Sequence, residues 1–186
     1  MAEEQVAIVD ESDREIGVTS RADSIAQKLR ARIVFIYVID PATQKIAVTQ
    51  RGPDLAYQPL AWQPSAGGYV AHGESYEQAA TRELREELGI SPPLVNLCTV
   101  PFQDDAVDLP FMFSFFVGCG DPLALKADPR EIVDIRFMTL DEAETMGRVL
   151  PNAEQGDLPR LHSAYGLGLH CLRDHWDKIV NFSRRS

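Results

Sequence analysis

Residues Gly68 to Ile90 read G-Y-V-A-H-G-E-S-Y-E-Q-A-A-T-R-E-L-R-E-E-L-G-I, and this stretch governs how the rest of the chain is read. Glu83, Glu86 and Glu87 stand at i, i+3 and i+4, so on a helix three carboxylates crowd one side and repel one another at neutral pH. A solvated helix ordinarily sets Lys or Arg four residues after a Glu. Here the residue four after Glu83 is Glu87, so the missing partner is most simply a bound cation, and oxygen-only ligands suit magnesium or manganese. Local signals fix the helix: Ser75 with Gln78 makes a capping box, and Gly89 followed by Pro92 and Pro93 ends it, which predicts a helix over 76–88. At 100° per residue Tyr76, Ala80, Leu84 and Leu88 form the apolar arc, and the acids occupy the adjoining one. Gly67, Gly68 and Gly73 before the helix let the backbone approach a metal or phosphate closely.

The spacing Gly68, five residues, Glu74, seven residues, Arg82-Glu83-Leu84, one residue, Glu86-Glu87, one residue, Gly89-Ile90 resembles a complete Nudix box. It has nine constrained positions within 23 residues, far more specific than a short glycine motif. Looser similarity spans most of the chain. Val6 to Gly17, with Arg21 following, resembles the lead-in of Nudix proteins close to the isopentenyl diphosphate isomerases. In those isomerases the catalytic cysteine falls where this chain has Gly67 and a metal-binding histidine where it has Tyr69, while the box acids are degraded. This chain shows the reverse pattern, which favours hydrolysis over isomerisation. The resemblance implies a Nudix-type α/β/α sandwich with a mixed sheet, a catalytic loop-helix, an N-terminal hairpin attachment and a long C-terminal helix.

The whole chain accommodates that fold. Its 186 residues fit one domain, 1–186, with residues 1–30 as the attachment and 68–90 as the box, burying roughly 70% of the unfolded surface. Hydrophobic residues at 45% and charged residues at 25% are ordinary for a globular protein and speak against long disorder. A net charge of −10 argues against a nucleic-acid polymer or an anionic membrane as partner. Local charge can still be reversed by a metal, so a small-molecule diphosphate remains open as substrate. Met-Ala-Glu-Glu-Gln lacks the basic and apolar regions of a secretory signal, and no apolar run reaches membrane-spanning length, so the expected location is cytoplasmic. Cys98, Cys119 and Cys171 are odd in number and lack C-x-x-C spacing, which is read as three reduced, buried thiols.

Along the chain, Val6–Val9 and Glu15–Val18 read as a hairpin and Ala22–Leu29 as a short helix. Arg32–Asp40 and Lys45–Gln50 read as a central hairpin around Asp40-Pro41, and Leu60–Ala66 as an extended piece leading to the box. Leu94–Phe102, Pro110–Gly118 and Ile132–Met138 read as strands and Thr139–Met146 as a short helix. A last helix capped at Asp157-Leu158-Pro159 carries an apolar stripe through Tyr165, Leu169, Leu172, Trp176 and Ile179. The N-terminal hairpin offers an edge through which two copies could join as a homodimer.

The chemistry implied is metal-dependent cleavage of a diphosphate linkage in a small organic or nucleoside diphosphate derivative. Glu83, Glu86, Glu87 and the Gly68 carbonyl are the metal-ligand candidates. By resemblance Arg82 orients the carboxylate beside it, and Glu74 supports that arrangement from the loop. Which glutamate acts as base is left open. Arg51, Glu131 and Trp62 are candidate substrate contacts, each with an ordinary competitor. A surface role is preferred for Glu131 and core packing for Trp62, whereas Arg51 is balanced against a structural ion pair. Asp104, Asp105 and Asp108 read as a solvated hairpin tip, and His72 as a loop histidine. Two other readings stay open: an isomerase relative with altered chemistry, and a sensor that binds a diphosphate without turnover.

Overall fold

The computed structural model describes residues 4–105, 108–148 and 164–183. Nine strands and four α-helices appear in the order β1 (Gln5–Val9), β2 (Glu15–Ser20), α1 (Arg21–Ala26), β3 (Ala31–Asp40), β4 (Lys45–Arg51), β5 (Trp62–Gln63), β6 (Ala66–Tyr69), α2 (Tyr76–Leu88), β7 (Leu94–Asp104), β8 (Leu109–Cys119), β9 (Ile132–Met138), α3 (Leu140–Arg148) and α4 (Ala164–Ser183). The predicted helix over 76–88 has those bounds, with both halves of the Ser75/Gln78 capping box and Gly89 left-handed at φ 71°. The proposed cap at Asp157–Pro159 lies outside the described residues. The extended piece before the box is two short strands, β5 and β6, rather than one.

β3 is the hub. Along one edge it pairs in parallel with β8, from Ala31↔Phe111 to Ile39↔Cys119. Along the other it pairs antiparallel with β6 over Ile33–Ile36 and then with β4 over Val38–Asp40. The predicted β3–β4 hairpin is therefore registered at only three residue pairs, because β6 takes the middle of that edge. β4 continues away to pair with β5 and β9, and β7 closes the far side on β8.

Alternation along β3 divides the core, since successive side chains point to opposite faces. Val34, Ile36 and Val38 meet Ala80, Leu84 and Leu88 of α2 on one face. Ile33, Phe35, Tyr37 and Ile39 join Phe113 and Phe115 of β8 and Tyr165, Leu169 and Leu172 of α4 on the other. The α4 stripe thus packs on the sheet as its spacing predicts. β1 and β2 form the expected N-terminal hairpin, attached to the start of β3 by Ile8↔Ala31. No helix among the described residues is long and apolar enough to cross a membrane.

The cysteines correct the expectation of three reduced thiols. Cys98 on β7 and Cys171 on α4 form a disulfide across 73 residues of sequence, with Cα atoms 6.4 Å apart, and only Cys119 is free. Sequence spacing could not show this, because the partners meet only when α4 lies against β7. A link closing so long a loop stabilises by about 4 kcal/mol in the chain-entropy account. Reduction should lower the Tm by about 10 °C; an unchanged melting curve, with three titratable thiols before reductant is added, would show that the bond does not form in solution.

Candidate active site

The site is assembled where β6, α2 and the segment before β9 meet. α2 packs Ala79, Ala80, Leu84 and Leu88 fully into the core, which turns the neighbouring arc of acids toward β6. Two close contacts explain the glycines there. A Cβ on Gly68 would collide with the Glu83 carboxylate, and one on Gly67 would collide with the Phe35 ring and the Val34 carbonyl. Glycine at 68 lets the Glu83 carboxylate lie on the strand backbone, and glycine at 67 makes room for Phe35.

Arg82 organises the acids. Its Nε and Nη2 donate to the two oxygens of Glu74 at 3.0 and 2.9 Å, Nη2 also donates to the Tyr69 carbonyl at 2.9 Å, and Nη1 donates to Glu83 Oε1 at 2.6 Å. Glu86 lies at the edge of this reach, 3.5 Å from Nη1, and is half exposed. Glu74 Oε2 also accepts the Ala71 N–H at 3.1 Å, tying the loop to the same node. Burial works against the Glu74 charge, yet the Arg82 and Ala71 hydrogen bonds outweigh it and hold its pKa below the usual value. The hydrogen bonds to Glu74, together with Glu83, raise the pKa of Arg82 and keep it charged.

Glu83 and Glu87 are pushed the other way. Burial raises the Glu83 pKa despite Arg82, and Glu86 and Glu4 add repulsion. Glu87 is 6% exposed, and burial lifts its pKa to about 8. A hydrogen bond from the Gly67 N–H at 3.0 Å opposes the rise, Glu83 and Glu131 reinforce it, and Arg51 counters it weakly.

Glu131 reaches this cluster because its segment is stitched to the end of α2. The N–H groups of Lys126 and Asp128 donate to the Leu88 and Glu87 carbonyls, each at 2.8 Å, and Gly52 N–H donates to the Glu131 carbonyl at 2.8 Å. That register lies beyond anything spacing in the sequence shows. Arg51, at the end of β4, donates from Nε to the Tyr57 carbonyl at 3.0 Å and from Nη1 to Gln63 Oε1 at 2.8 Å. Burial lowers its pKa, against the pull of Glu87 and Glu131.

These groups share a cavity of about 760 Å³, lined by Glu83, Glu86, Glu87, Glu131, Gly67, Gly68 and Arg51, among others. Trp62 is absent from the lining; it is 2% exposed in the core, with the Arg136 guanidinium 4.4 Å from its ring centre, which corrects its candidacy as a substrate contact. His72 lies 3.8 Å from Glu15 and outside the cavity. The hairpin tip is not simply solvated: Asp104 is buried and accepts from the Tyr57 hydroxyl, and Asp108 pairs with Lys28. Several lining residues escaped the sequence reading. Phe35, Phe111 and Phe113 registered only as strand interior, and Arg21, which stands 4.4 Å over the Tyr69 ring, only as part of the lead-in.

The donor set suits a hard divalent cation, since Glu83, Glu86, Glu87 and the Gly68 carbonyl supply oxygen alone. Among the described residues no three acidic, histidine or cysteine side chains already converge as a cage. Arg82 lies 2.6 Å from Glu83 and 3.5 Å from Glu86, so a cation shared by the two acids would need Glu86 to turn from that weak contact. Its exposure makes that turn cheap.

Known proteins agree with this architecture. The sequence profile of the NUDIX domain matches residues 29–159. An uncharacterized Nudix hydrolase of Pseudomonas aeruginosa is 34% identical over 148 residues, 80% of this chain and 86% of its own. Another from Streptomyces coelicolor is 41% identical over 90 residues, about half of either chain. An isopentenyl-diphosphate Delta-isomerase of Pectobacterium atrosepticum is more distant, 23% identical over 74% of this chain and 78% of its own. In three dimensions a crystal structure from Deinococcus radiodurans superposes with a TM-score of 0.67 at 24% identity, covering 91% of this chain and 98% of its own, which shows a shared fold. A domain match across most of the chain and a relative 34% identical over 80% of it establish that the chain belongs to the Nudix hydrolase family.

Proposed function

We propose that this chain is a magnesium- or manganese-dependent hydrolase that cleaves the diphosphate linkage of a small organic or nucleoside diphosphate derivative. Nudix hydrolases are generally pyrophosphohydrolases and typically depend on a divalent metal. The observation that carries the reading is Glu87, a buried carboxylate facing Glu83 and Glu131 with one fixed N–H donor. A proton or a hard cation is what such a group requires.

Glu83, Glu86, Glu87 and the Gly68 carbonyl would hold the cation, which supplies neutralisation of phosphate charge and a more acidic water. The chain's own residues do the rest. Arg82, gripped by Glu74, fixes Glu83 against Gly68 and so sets the cluster's geometry. Arg51, anchored at Tyr57 and Gln63, turns its remaining N–H groups to a phosphate oxygen. Glu131, on the opposite wall, takes or holds a proton beside the reacting phosphate.

The isomerase reading meets a steric obstacle. Resemblance sets its thiol at Gly67, where even a methyl carbon would strike Phe35 and the Val34 carbonyl. A sensor reading leaves unexplained why a full set of repelling carboxylates is kept, and turnover separates it from hydrolysis.

Three outcomes are expected. Phosphate release from a diphosphate panel should vanish with chelator and return with magnesium or manganese; full activity after exhaustive metal removal, confirmed by elemental analysis, sinks the mechanism. Glu86→Gln and Glu87→Gln should each lower kcat by on the order of 10²-fold or more while the fold, followed by circular dichroism, persists.

The third concerns pH and metal-free protein. The Glu87 pKa is higher folded, at about 8, than in an unfolded chain, where a glutamate has its ordinary value of 4.5, so the folded state holds the extra proton between those limits. Stability from this group is full below pH 4.5 and is lost as pH rises toward 8. Metal-free Glu87→Gln keeps an oxygen for the Gly67 N–H but cannot ionise. It should exceed the parent's stability at pH 8 by on the order of 1–3 kcal/mol, and the gap should close toward pH 5 in urea titrations. A gap of the same size at both pH values would show that ionisation of Glu87 is not its cause.

A further inference from the structure

The cavity has two unlike ends, and the sheet fixes the distance between them. The carboxylates rest on Gly67 and Gly68 of β6. β6 pairs with β3 by Phe35↔Gly67 and Ile33↔Tyr69, and β3 pairs with β8 by Ile33↔Phe113 and Ala31↔Phe111. Two strand spacings therefore separate the acid end from Phe111 and Phe113, about 10 Å. That is the reach of an organic group carried beyond a diphosphate bound at β6.

The far end is built of apolar side chains. Phe35, one strand from Gly67, begins its floor, and Ile33, Leu109, Phe111 and Phe113 continue it away from the acids, each of the five no more than 8% exposed. Its rings are fixed against one another. Phe111 and Phe113 stack at 5.4 Å and 14°, Phe35 meets Phe113 edge-on at 5.3 Å, and Tyr69 meets Phe111 edge-on at 6.4 Å. Ile25 of α1 and Leu55 extend the same surface toward the mouth. Polar groups stand at its rim, not in its floor: the Arg21 guanidinium lies over the Tyr69 ring and is engaged with that side chain, and the Tyr57 hydroxyl is bonded to Asp104. None of the five floor side chains can donate or accept a hydrogen bond, so the floor has nothing with which to read the polar edge of a nucleobase, and burying that edge unpaired is costly.

Resting on the hydrolase reading above, we propose that the substrate is a diphosphate monoester whose organic group is apolar, alkyl or aryl, recognised by contact area on the Phe35–Phe111–Phe113 floor and not by hydrogen bonds. Water adds to one phosphorus and the bridging P–O bond breaks. The products are the organic monophosphate and inorganic phosphate, with one proton released, and no other reactant is needed.

Two measurements on the intact protein with magnesium test this. The first compares kcat/KM for phosphate release from n-alkyl diphosphates of two to eight carbons, from phenylethyl diphosphate and from ADP, CDP, GDP and UDP. Area-based recognition predicts a rise of about threefold per added methylene until the floor is covered. Hexyl and phenylethyl diphosphate should exceed every nucleoside diphosphate by at least tenfold. A flat chain-length series, or a nucleoside diphosphate that outpaces all alkyl and aryl esters, overturns the proposal.

The second measurement is calorimetric binding of the matching alkyl esters of methylene diphosphonate, which cannot be cleaved at the bridge. Affinity that rises with chain length while no diphosphate is hydrolysed rejects the hydrolase reading and keeps the apolar subsite. Affinity independent of chain length rejects the subsite whatever the turnover. Phe111→Leu should lower the hexyl-to-ethyl affinity ratio severalfold, and because Phe111 is a core residue, Ile25→Asn on the 43% exposed rim provides a second variant with little risk to folding. An unchanged ratio in a folded Ile25→Asn and a folded Phe111→Leu also rejects the subsite.

Discussion

The pairing of β3 along both edges is the constraint on which the rest depends. β8 occupies one edge without a break, and β1, β6 and β4 share the other in succession. Strands paired to successive segments of the same edge cannot run on side by side. β6 turns toward α2, whereas β4 carries away β5 and β9. The cavity lies at that fork. Glycines of β6 form one lip, Arg51 at the end of β4 forms the other, and the loop before β9, pinned to Gly52 and to the end of α2, brings Glu131 across the gap.

Within the fork, electrostatic tension is distributed instead of relieved. Arg82 makes three hydrogen bonds that hold Glu74 and Glu83 and a fourth to the Tyr69 carbonyl, and charge-assisted bonds to carboxylates are worth about 1.5–3 kcal/mol each before solvent screening of a partly exposed group. One guanidinium cannot also neutralise Glu87, which lies a turn further along α2 and is buried against Gly67. The penalty for ionising Glu87 is on the order of a few kcal/mol, large on the scale of a protein's net stability. An apolar residue there, like the neighbouring Leu84 and Leu88, would carry no such penalty, so the acid places a charge at the cavity at the expense of stability.

The carboxylate helix was legible in sequence because every signal it needs is local. Ser75, Gln78 and Gly89 set its ends, a 3.6-residue period sets its faces, and the acids follow from both. Contacts set by register between distant strands were not legible. Nothing near Glu131 in sequence shows that it faces Glu87 and Arg51, since that placement comes from Asp128 bonding to the Glu87 carbonyl. Phe111 and Phe113 read as strand interior, and only their parallel pairing with β3 reveals that they extend from the acids as a floor. Trp62, plausible as an aromatic contact, is carried into the core by its pairing with Gln50. The Cys98–Cys171 link was hidden for the same reason, as it records where α4 docks.

The N-terminal hairpin also takes on a physical role beyond that of an attachment. Asp13, at φ 61° in the β1–β2 turn, accepts from Arg32 Nε at 2.7 Å and from the Tyr76 hydroxyl at 3.0 Å, while its carbonyl accepts from Arg32 Nη2 at 2.8 Å. One turn residue thereby joins the hairpin to β3 and to the first residue of α2. On the other side of the loop, Val6 bridges to Ala71 and the Gln5 carbonyl accepts the His72 N–H at 2.8 Å. The segment that carries Glu74 is thus held at both ends, and Glu74 in turn holds Arg82. A flexible loop there would have to order itself each time the carboxylates were to be aligned, at about 1–2 kcal/mol per residue fixed. The hairpin meets that requirement when the protein folds, so Glu74, Arg82 and Glu83 are aligned before any ligand arrives and only the exposed Glu86 is left to turn.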